Sequence, residues 1–191
     1  MRTAVQNAKS QNMPSKNIEN AILKGTGELP GVVYEEIGFE GYGPGGVALY
    51  IIATTDNRNR TVAEIRHILS KYGGNLGETG SVSWVFEKKG LILLTKESSN
   101  EDEFKMKVID AGADDFKVED EFFEVYTQFE DLHKVRSSLE ETGLNIDNAT
   151  VTMIPQNMVE LDGKEAERML RLMDALEDND DVQNVFSNFD I

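Results

Sequence analysis

Leu91-Ile-Leu-Leu-Thr95 is an apolar run of strand length, and it opens the stretch of sequence that decides the fold. A helical pattern follows it, and Phe116-Lys-Val-Glu119 then predicts a second strand. The same order recurs, because Phe122-Phe-Glu-Val-Tyr-Thr127 predicts a strand, another helical pattern follows, and Ala149-Thr-Val-Thr-Met-Ile154 predicts the last strand. The resulting order, β-α-β-β-α-β, is typical of a ferredoxin-like domain, which we expect over residues 90–155.

The segment before this repeat predicts the strands of a second sheet. Val32–Ile37 and Val47–Thr54 have the composition of strands, and the glycine-rich segment Gly41–Gly46 predicts a sharp turn between them. In Ser81–Glu87 apolar residues alternate with serines, which predicts a half-buried strand with Trp84 facing inward.

Helices are predicted beside this second sheet. Thr61 and Glu64 have the spacing of a capping box at the start of a helix over Val62–Tyr72. A longer helix is predicted over Lys164–Leu176, followed by a strand at Val182–Phe186. The residues that we expect on the inward face of the longer helix are Ala166, Met169, Leu170, Met173 and Leu176.

The pattern as a whole predicts a multi-domain α+β protein with two α/β sandwich-type domains. Residues 31–89 and 156–191 form a discontinuous α/β domain, and the ferredoxin-like domain over residues 90–155 is inserted into it. Helices at Thr3–Gln11 and Pro14–Gly25 predict that residues 1–27 are the C-terminal part, or remnant, of a helical domain.

Charge and composition narrow the function. The 191 residues carry a net charge of −16 and no Cys, which excludes disulfides, Cys–zinc sites and thiol nucleophiles. Residues 1–25 hold 4 basic and 1 acidic residue, residues 26–96 hold 7 and 8, and residues 97–191 hold 8 and 26. An acidic C-terminal half repels phosphates, so we expect any nucleic-acid contact to come from the first half or from a segment upstream of this sequence. No apolar run reaches the length of a membrane span, and we expect a cytoplasmic protein.

Enzymatic signatures are weak. His67 and His133 each lie beside a basic residue in a predicted helix, and no Gly-x-Ser-x-Gly motif is present. The acidic run Glu177–Asp181 lacks the spaced ligands of an EF-hand loop, and Gly41–Gly46 lacks the Lys-Ser/Thr ending of a P-loop. We therefore expect no catalytic residue, no metal, no cofactor and no enzyme activity.

The most informative polar segment is Asp56-Asn-Arg-Asn-Arg-Thr61. It places Arg58 and Arg60 just before a helix N-terminus, where amide groups, the helix dipole and two guanidinium groups favour a phosphate. The alternative is a solvated rim with local ion pairs, for example to Glu64 or Glu78. The residues predicted to bind nucleic acid are Arg58, Arg60, Arg66, Lys88, Lys89 and Tyr42, the last either stacking on a base or packing on its strand.

Three longer motifs resemble the YebC family. They are Glu40-Gly-Tyr-Gly-Pro-Gly-Gly46, Asp56-Asn-Arg-Asn-Arg-Thr-Val-Ala-Glu-Ile-Arg66, and Gly73-Gly-Asn-Leu-Gly77 with Gly80-Ser-Val82. The resemblance extends over essentially the whole chain, including Met153-Ile-Pro155. It implies three domains, the last inserted into the second. It also implies a basic Gly-His-Ser-Lys-Trp segment upstream of Met1 of this sequence, without which we expect binding to be weakened or lost.

The resemblance implies a non-enzymatic role in gene expression. Members are usually described as transcriptional regulators that bind DNA, and the family includes a mitochondrial translational activator. The alternative that it implies is a ribosome-associated translation factor that binds ribosomal RNA and relieves stalling. The expected partners are therefore DNA or ribosomal RNA, with the ribosome as a further candidate and no membrane.

Overall fold

The computed structural model describes residues 13–26, 33–96, 101–119 and 122–190. It confirms an α+β fold with two antiparallel four-stranded sheets. The chain divides into two compact units, one of residues 1–81, 161–185 and 191, and one of residues 82–160 and 186–190. The predicted helix Thr3–Gln11 lies outside the described residues. Among the described helices, none is long and apolar enough to cross a membrane.

The described helices and strands are numbered in chain order. The helices are α1 (Ser15–Thr26), α2 (Arg58–Lys71), α3 (Glu101–Asp110), α4 (Leu132–Glu141) and α5 (Gly163–Glu177). The strands are β1 (Glu35–Tyr42), β2 (Ala48–Thr55), β3 (Asn75–Leu76), β4 (Phe86–Thr95), β5 (Asp115–Val118), β6 (Phe122–Gln128), β7 (Ile146–Pro155), β8 (Val159–Glu160), β9 (Val182–Ser187) and β10 (Phe189–Asp190). Single 3₁₀ turns lie at Pro44–Gly46 and Ser83–Val85.

The first unit is built on a sheet with the strand order β3-β1-β2-β9. β1 and β2 form an antiparallel hairpin, in which Glu35 lies opposite Thr55 and Tyr42 opposite Ala48. Helices α2 and α5 contact each other. Each helix buries an apolar stripe of residues spaced three and four apart, and the strands contribute alternate residues to the same core. The buried apolar residues are Ile37, Phe39, Leu49, Ile51, Ala53, Ile65, Leu69, Ala166, Met169, Leu172 and Leu176.

The second unit has a sheet with the strand order β5-β6-β4-β7, in which all neighbours are antiparallel. With α3 after β4 and α4 after β6, this is the split-βαβ arrangement that the internal repeat predicts. Phe104 of α3 stacks on Phe123 of β6 with ring centroids 3.8 Å apart, at the centre of the core. The short parallel pair of β8 and β10 has no counterpart in the predicted pattern.

The two units meet in sequence near residues 82 and 160, whereas the sequence pattern divides the domains at 90 and 155. β4 runs as one strand from Phe86, which lies opposite Pro155, so residues 86–89 belong to the sheet of the second unit. The domain boundaries at residues 90 and 155 therefore stay a prediction.

Three local predictions are wrong. Trp84 is 68% exposed, because a 3₁₀ turn replaces the predicted strand at Ser83–Val85. Leu170 is exposed and Leu172 is buried, because the stripe of α5 that faces the core runs through Met169 and Leu172, which are three residues apart.

The third concerns the start of α2. Asn57 is the N-cap, and its side chain accepts a hydrogen bond from the Arg60 amide. Thr61, the predicted cap, therefore lies inside the helix one turn after the observed cap, and its hydroxyl donates a hydrogen bond to a different partner.

That partner is Asp181, which precedes β9. Its carboxylate accepts hydrogen bonds from the Thr61 hydroxyl at 2.6 Å and from the Thr55 hydroxyl at 3.2 Å. Nη2 of Arg60 lies 2.9 Å from both carboxylate oxygens. The Asp181 carbonyl also accepts the Thr54 amide at 2.7 Å. One residue thus joins the start of α2, the end of β2 and the start of β9.

The charge of Asp181 is stabilised by these contacts. Burial raises the pKa of this carboxyl, but the hydrogen bonds from Thr61 and Arg60 and the charge of Arg60 outweigh burial, so the pKa is lowered from 3.8. The side chain is 14% exposed, which limits competition from water.

Replacing Asp181 tests this junction. We expect Asp181→Asn to lower the free energy of unfolding by about 1–3 kcal/mol, because the amide cannot accept all the hydrogen bonds that converge on the carboxylate. Chemical denaturation measures the difference. Asp180→Asn is the matched control, since Asp180 is exposed and forms no hydrogen bond or ion pair with the described residues, and we expect a change within about 0.5 kcal/mol. Equal effects from the two variants would contradict the assignment.

The same junction predicts a pH dependence. Because the folded pKa of Asp181 is lowered, its contribution to stability is present above the ordinary pKa of 3.8 and disappears as pH falls through the folded pKa. We therefore expect the stability difference between the unmodified chain and Asp181→Asn to shrink when denaturation is repeated below pH 3.8. A difference that stays constant into acid would contradict the assigned role of the carboxylate.

The fluorescence of Trp84, the one Trp of the sequence, reports on the 3₁₀ turn at Ser83–Val85. An exposed indole is accessible to a soluble quencher. We expect acrylamide to quench the fluorescence of the folded chain almost as efficiently as that of the denatured chain. Strong protection from quenching would support the buried strand instead.

Candidate nucleic-acid interface

The six residues predicted to bind nucleic acid fall in both units. Tyr42 of β1 and the three arginines of α2 lie in the first unit, while Lys88 and Lys89 of β4 lie in the second. Each unit therefore holds its own group of candidate contacts.

Arg58 and Arg66 are exposed on α2. Neither forms an ion pair with any residue that the structure describes. Arg58 is the first helical residue, and the amides of Arg58 and Asn59 form no hydrogen bond within the described ranges. Positive side chains beside free helix-start amides can bind an anionic oxygen such as a phosphate.

Arg60 has a different environment from Arg58. Its guanidinium lies 2.9 Å from Asp181 and 3.0 Å from Asp56. The hydrogen bond to Asp181 outweighs burial and raises the pKa of Arg60, with further contributions from the charges of both carboxylates. Two carboxylates thus neutralise this arginine, and the anion nearest to it is part of the protein. For Arg60 the arrangement corresponds to the alternative of a local ion pair.

Tyr42 is half-buried, and its hydroxyl donates a hydrogen bond to the carbonyl of Ser81 at 3.0 Å. The glycine turn next to it has positive φ at Gly45 (69°) and Gly46 (79°), which suits glycine and supports a conformational role for this segment. The tyrosine therefore presents only part of its ring to a base.

Lys88 and Lys89 point to opposite faces of β4, as consecutive strand residues do. Lys88 is exposed, and its Nζ lies 4.8 Å from the ring centroid of Phe129. Lys89 is half-buried, with Nζ 3.2 Å from Asp114 and 3.5 Å from Glu87. Burial lowers the pKa of Lys89, but the hydrogen bond to Asp114 and the charge of Glu87 outweigh it, so the pKa is raised. Lys89 is charged and already paired.

A groove of about 1070 Å³ in the first unit is lined by side chains of both charges. Arg60 and Lys24 line it, but five carboxylates line it as well. The acidic lining residues are Asp56, Glu64, Asp178, Asp180 and Asp181. Such a lining repels phosphates, so Arg58 and Arg66, which do not line the groove, are the predicted contact residues of α2 without a carboxylate partner among the described residues.

Sequence reasoning missed Asp181, the residue that separates the roles of Arg58 and Arg60. Asp181 belongs to an acidic run at the end of α5 that has no metal-binding spacing. Its partner Thr61 is 120 residues away in the sequence. One chain shows no periodicity that links two such distant positions.

Comparison with known proteins identifies the family. Residues 34–189 match the family model described as the TACO1/YebC second and third domain. The chain is 58% identical over 191 residues to a probable transcriptional regulatory protein of Geobacter sulfurreducens, which covers 100% of this chain and 77% of the relative. It is 52% identical over 192 residues to a probable transcriptional regulatory protein of Dictyoglomus turgidum, with the same coverage.

The fold has a counterpart among solved structures. The crystal structure of a conserved hypothetical protein of Aquifex aeolicus is similar with a TM-score of 0.77 and 47% identity, covering 100% of this chain and 79% of that one. The family model spans most of the chain, and relatives more than half identical align over its full length. This chain therefore belongs to the TACO1/YebC family.

Proposed function

We propose that this chain is a non-enzymatic regulator of gene expression that binds nucleic acid, with DNA as its target. The observation that carries the proposal is the exposed arginine pair on α2, Arg58 and Arg66, which has no carboxylate partner among the described residues. The names of the relatives from Geobacter sulfurreducens and Dictyoglomus turgidum support a role in transcriptional regulation.

Phosphate contact is the chemistry that suits this pair. Arg58 and Arg66 are eight residues apart on one helix, a rise of roughly 12 Å at about 1.5 Å per residue, so they can reach different phosphates of one backbone. Arg58 also lies beside two amides at the helix start that form no hydrogen bond with described residues. Lys88, exposed in the second unit, is a further candidate contact. Contacts of this kind supply affinity and salt dependence rather than sequence preference.

A second target, the ribosome, is favoured by the charge distribution. Residues 97–191 contain 26 acidic and 8 basic residues, which a long duplex repels. A ribosome offers RNA to the arginines and basic proteins to the acidic half, so both kinds of surface find a complement there.

Removing the two arginines tests the proposed interface. We expect Arg58→Ala with Arg66→Ala to weaken binding to duplexes of any sequence, and to reduce the slope of log affinity against log salt by about 1 for each phosphate that is no longer neutralised. Fluorescence anisotropy over a salt series measures both quantities. A variant that includes Arg60→Ala is less informative, because it also removes a partner of Asp181.

Lys164→Ala with Arg168→Ala is the matched control for that variant. It removes the same charge from the first unit at two exposed positions of α5 that have no ion pair with described residues. We expect this control to keep nearly full affinity. If both double variants weaken binding equally, net charge explains the binding and α2 is not the interface.

Competition between targets separates the two candidate functions. Co-sedimentation with ribosomes near physiological salt is measured with random and promoter duplexes as competitors. Duplex binding with a sequence preference supports transcriptional regulation, whereas ribosome binding that survives duplex competition supports a translation factor. Binding to neither by the chain, with intact folding, would contradict the proposed function.

A further inference from the structure

The second sheet has one long edge strand that is unusually open to pairing. β7 covers ten residues, Ile146–Pro155, and lies at the end of the strand order, so only β4 pairs with it among the described strands. Its outward backbone groups make no hydrogen bond with the backbone of any other described strand. Unpaired N–H and C=O groups along a strand edge favour pairing with another strand.

The opposite edge of the same sheet is protected in a way that β7 is not. β5 covers four residues and carries Asp115 and Lys117. Short length and charge are the devices that prevent edge-to-edge pairing. In β7 the one charged residue is Asp147, next to the register shift at Leu93 and Leu94, and residues 148–154 that follow are neutral. The protective features of β7 are thus at its two ends, Asp147 near the start and Pro155 as the last residue, and residues 148–154 between them carry neither charge nor proline.

The neutral part of β7 is close to symmetric in sequence. It reads Asn148-Ala-Thr-Val-Thr-Met-Ile154, with Val151 between two threonines. Antiparallel pairing of two copies about Val151 sets Thr150 opposite Thr152 of the other copy, and Ala149 opposite Met153. Threonine pairs and apolar pairs directly opposite each other stabilise antiparallel strands.

The two faces of the strand also match under this pairing. Val151 lies opposite Gly90 and Ala149 opposite Ile92, so both share a face with the core residue Ile92. Val151 is nevertheless 42% exposed. Self-pairing places Ala149, Val151 and Met153 of both copies in one apolar row, and the threonines in a polar row on the other face.

The near-symmetric sequence about Val151 selects a second copy as the occupant, and the neutral strip permits this pairing despite the net charge of the chain. Two chains of net charge −16 repel each other over most approaches, and the half of the sequence that contains β7 is the most acidic part. A neutral segment of seven residues removes direct charge opposition along the line of contact. A basic partner gains little from this strip, because residues 148–154 offer it no carboxylate.

We propose that the chain forms a two-fold symmetric homodimer through antiparallel pairing of β7 with β7 of a second copy, centred on Val151. The four-stranded sheet of each copy then continues into that of the other, which gives one sheet of eight strands. A single pair of strands buries less than the roughly 1,200 Å² typical of stable complexes, so the dimer depends on concentration.

Sedimentation velocity of the full chain tests the proposal. We expect the unmodified chain to shift from monomer to dimer between about 1 µM and 1 mM, the range of weak association. Val151→Lys places two ammonium groups across the two-fold axis, and we expect it to stay monomeric over that range. Val118→Lys on β5 is the matched control, since Val118 is 37% exposed on the other edge strand, and it is expected to dimerise like the unmodified chain.

Hydrogen exchange of the unmodified chain makes the test independent of the variants. We expect backbone amides within residues 148–154 to become protected as concentration rises, while those of β5 do not change. An unmodified chain that stays monomeric to about 1 mM overturns the proposal. A dimer that persists in folded Val151→Lys, or one that leaves β7 exchange unchanged, also overturns it.

Discussion

The carboxylate of Asp181 is the constraint on which the arrangement of the first unit depends. It accepts hydrogen bonds from Thr61 and Thr55 and forms an ion pair with Arg60, so the start of α2, the end of β2 and the start of β9 meet at one group. A buried carboxylate without partners is costly, and here each oxygen has a donor. The junction therefore fixes the edge position of β9, while apolar packing of α2 and α5 supplies the bulk of the burial.

The same junction separates the roles of neighbouring arginines. Arg60 compensates the charge of Asp181, so it belongs to the folded framework even though its side chain is partly exposed. Arg58, two residues earlier, has no such partner among the described residues and faces solvent with the free amides of the helix start. A comparable difference occurs on β4, where Lys89 is paired with Asp114 and Lys88 is exposed. Basic residues that are close in sequence thus differ in whether a carboxylate of the protein already pairs with their charge or the charge is available to a ligand.

Much of the fold could be predicted from the sequence because its signals are local. The helices after β4 and β6, the hairpin of β1 and β2 and the position of α5 follow from periodicity and from glycine positions. The errors occur where two patterns coincide. Val82 and Phe86 are buried as expected, but Trp84 between them is exposed, because a 3₁₀ turn has three residues per turn and does not keep alternate residues on one face as a strand does. Leu170 is wrongly predicted to face inward. It directly follows the buried Met169 in the sequence, but consecutive residues of a helix point in different directions.

The candidate site also shows that local sequence patterns do not predict contacts between distant residues. The segment Asp56–Thr61 predicts a helix start next to two arginines, but the cap is Asn57 rather than Thr61, so the helix already begins at Arg58. The sequence by itself determined the α+β class, the β-α-β-β-α-β repeat, the acidic C-terminal half and the family motifs, all of which are properties of composition or short-range spacing. Only the tertiary structure decided that Arg60 is paired, that Arg58 has no ion-pair partner among the described residues, and that β7 lies at the edge of the described sheet. Those properties depend on contacts between residues far apart in the chain, such as Thr61 and Asp181, which no local spacing encodes.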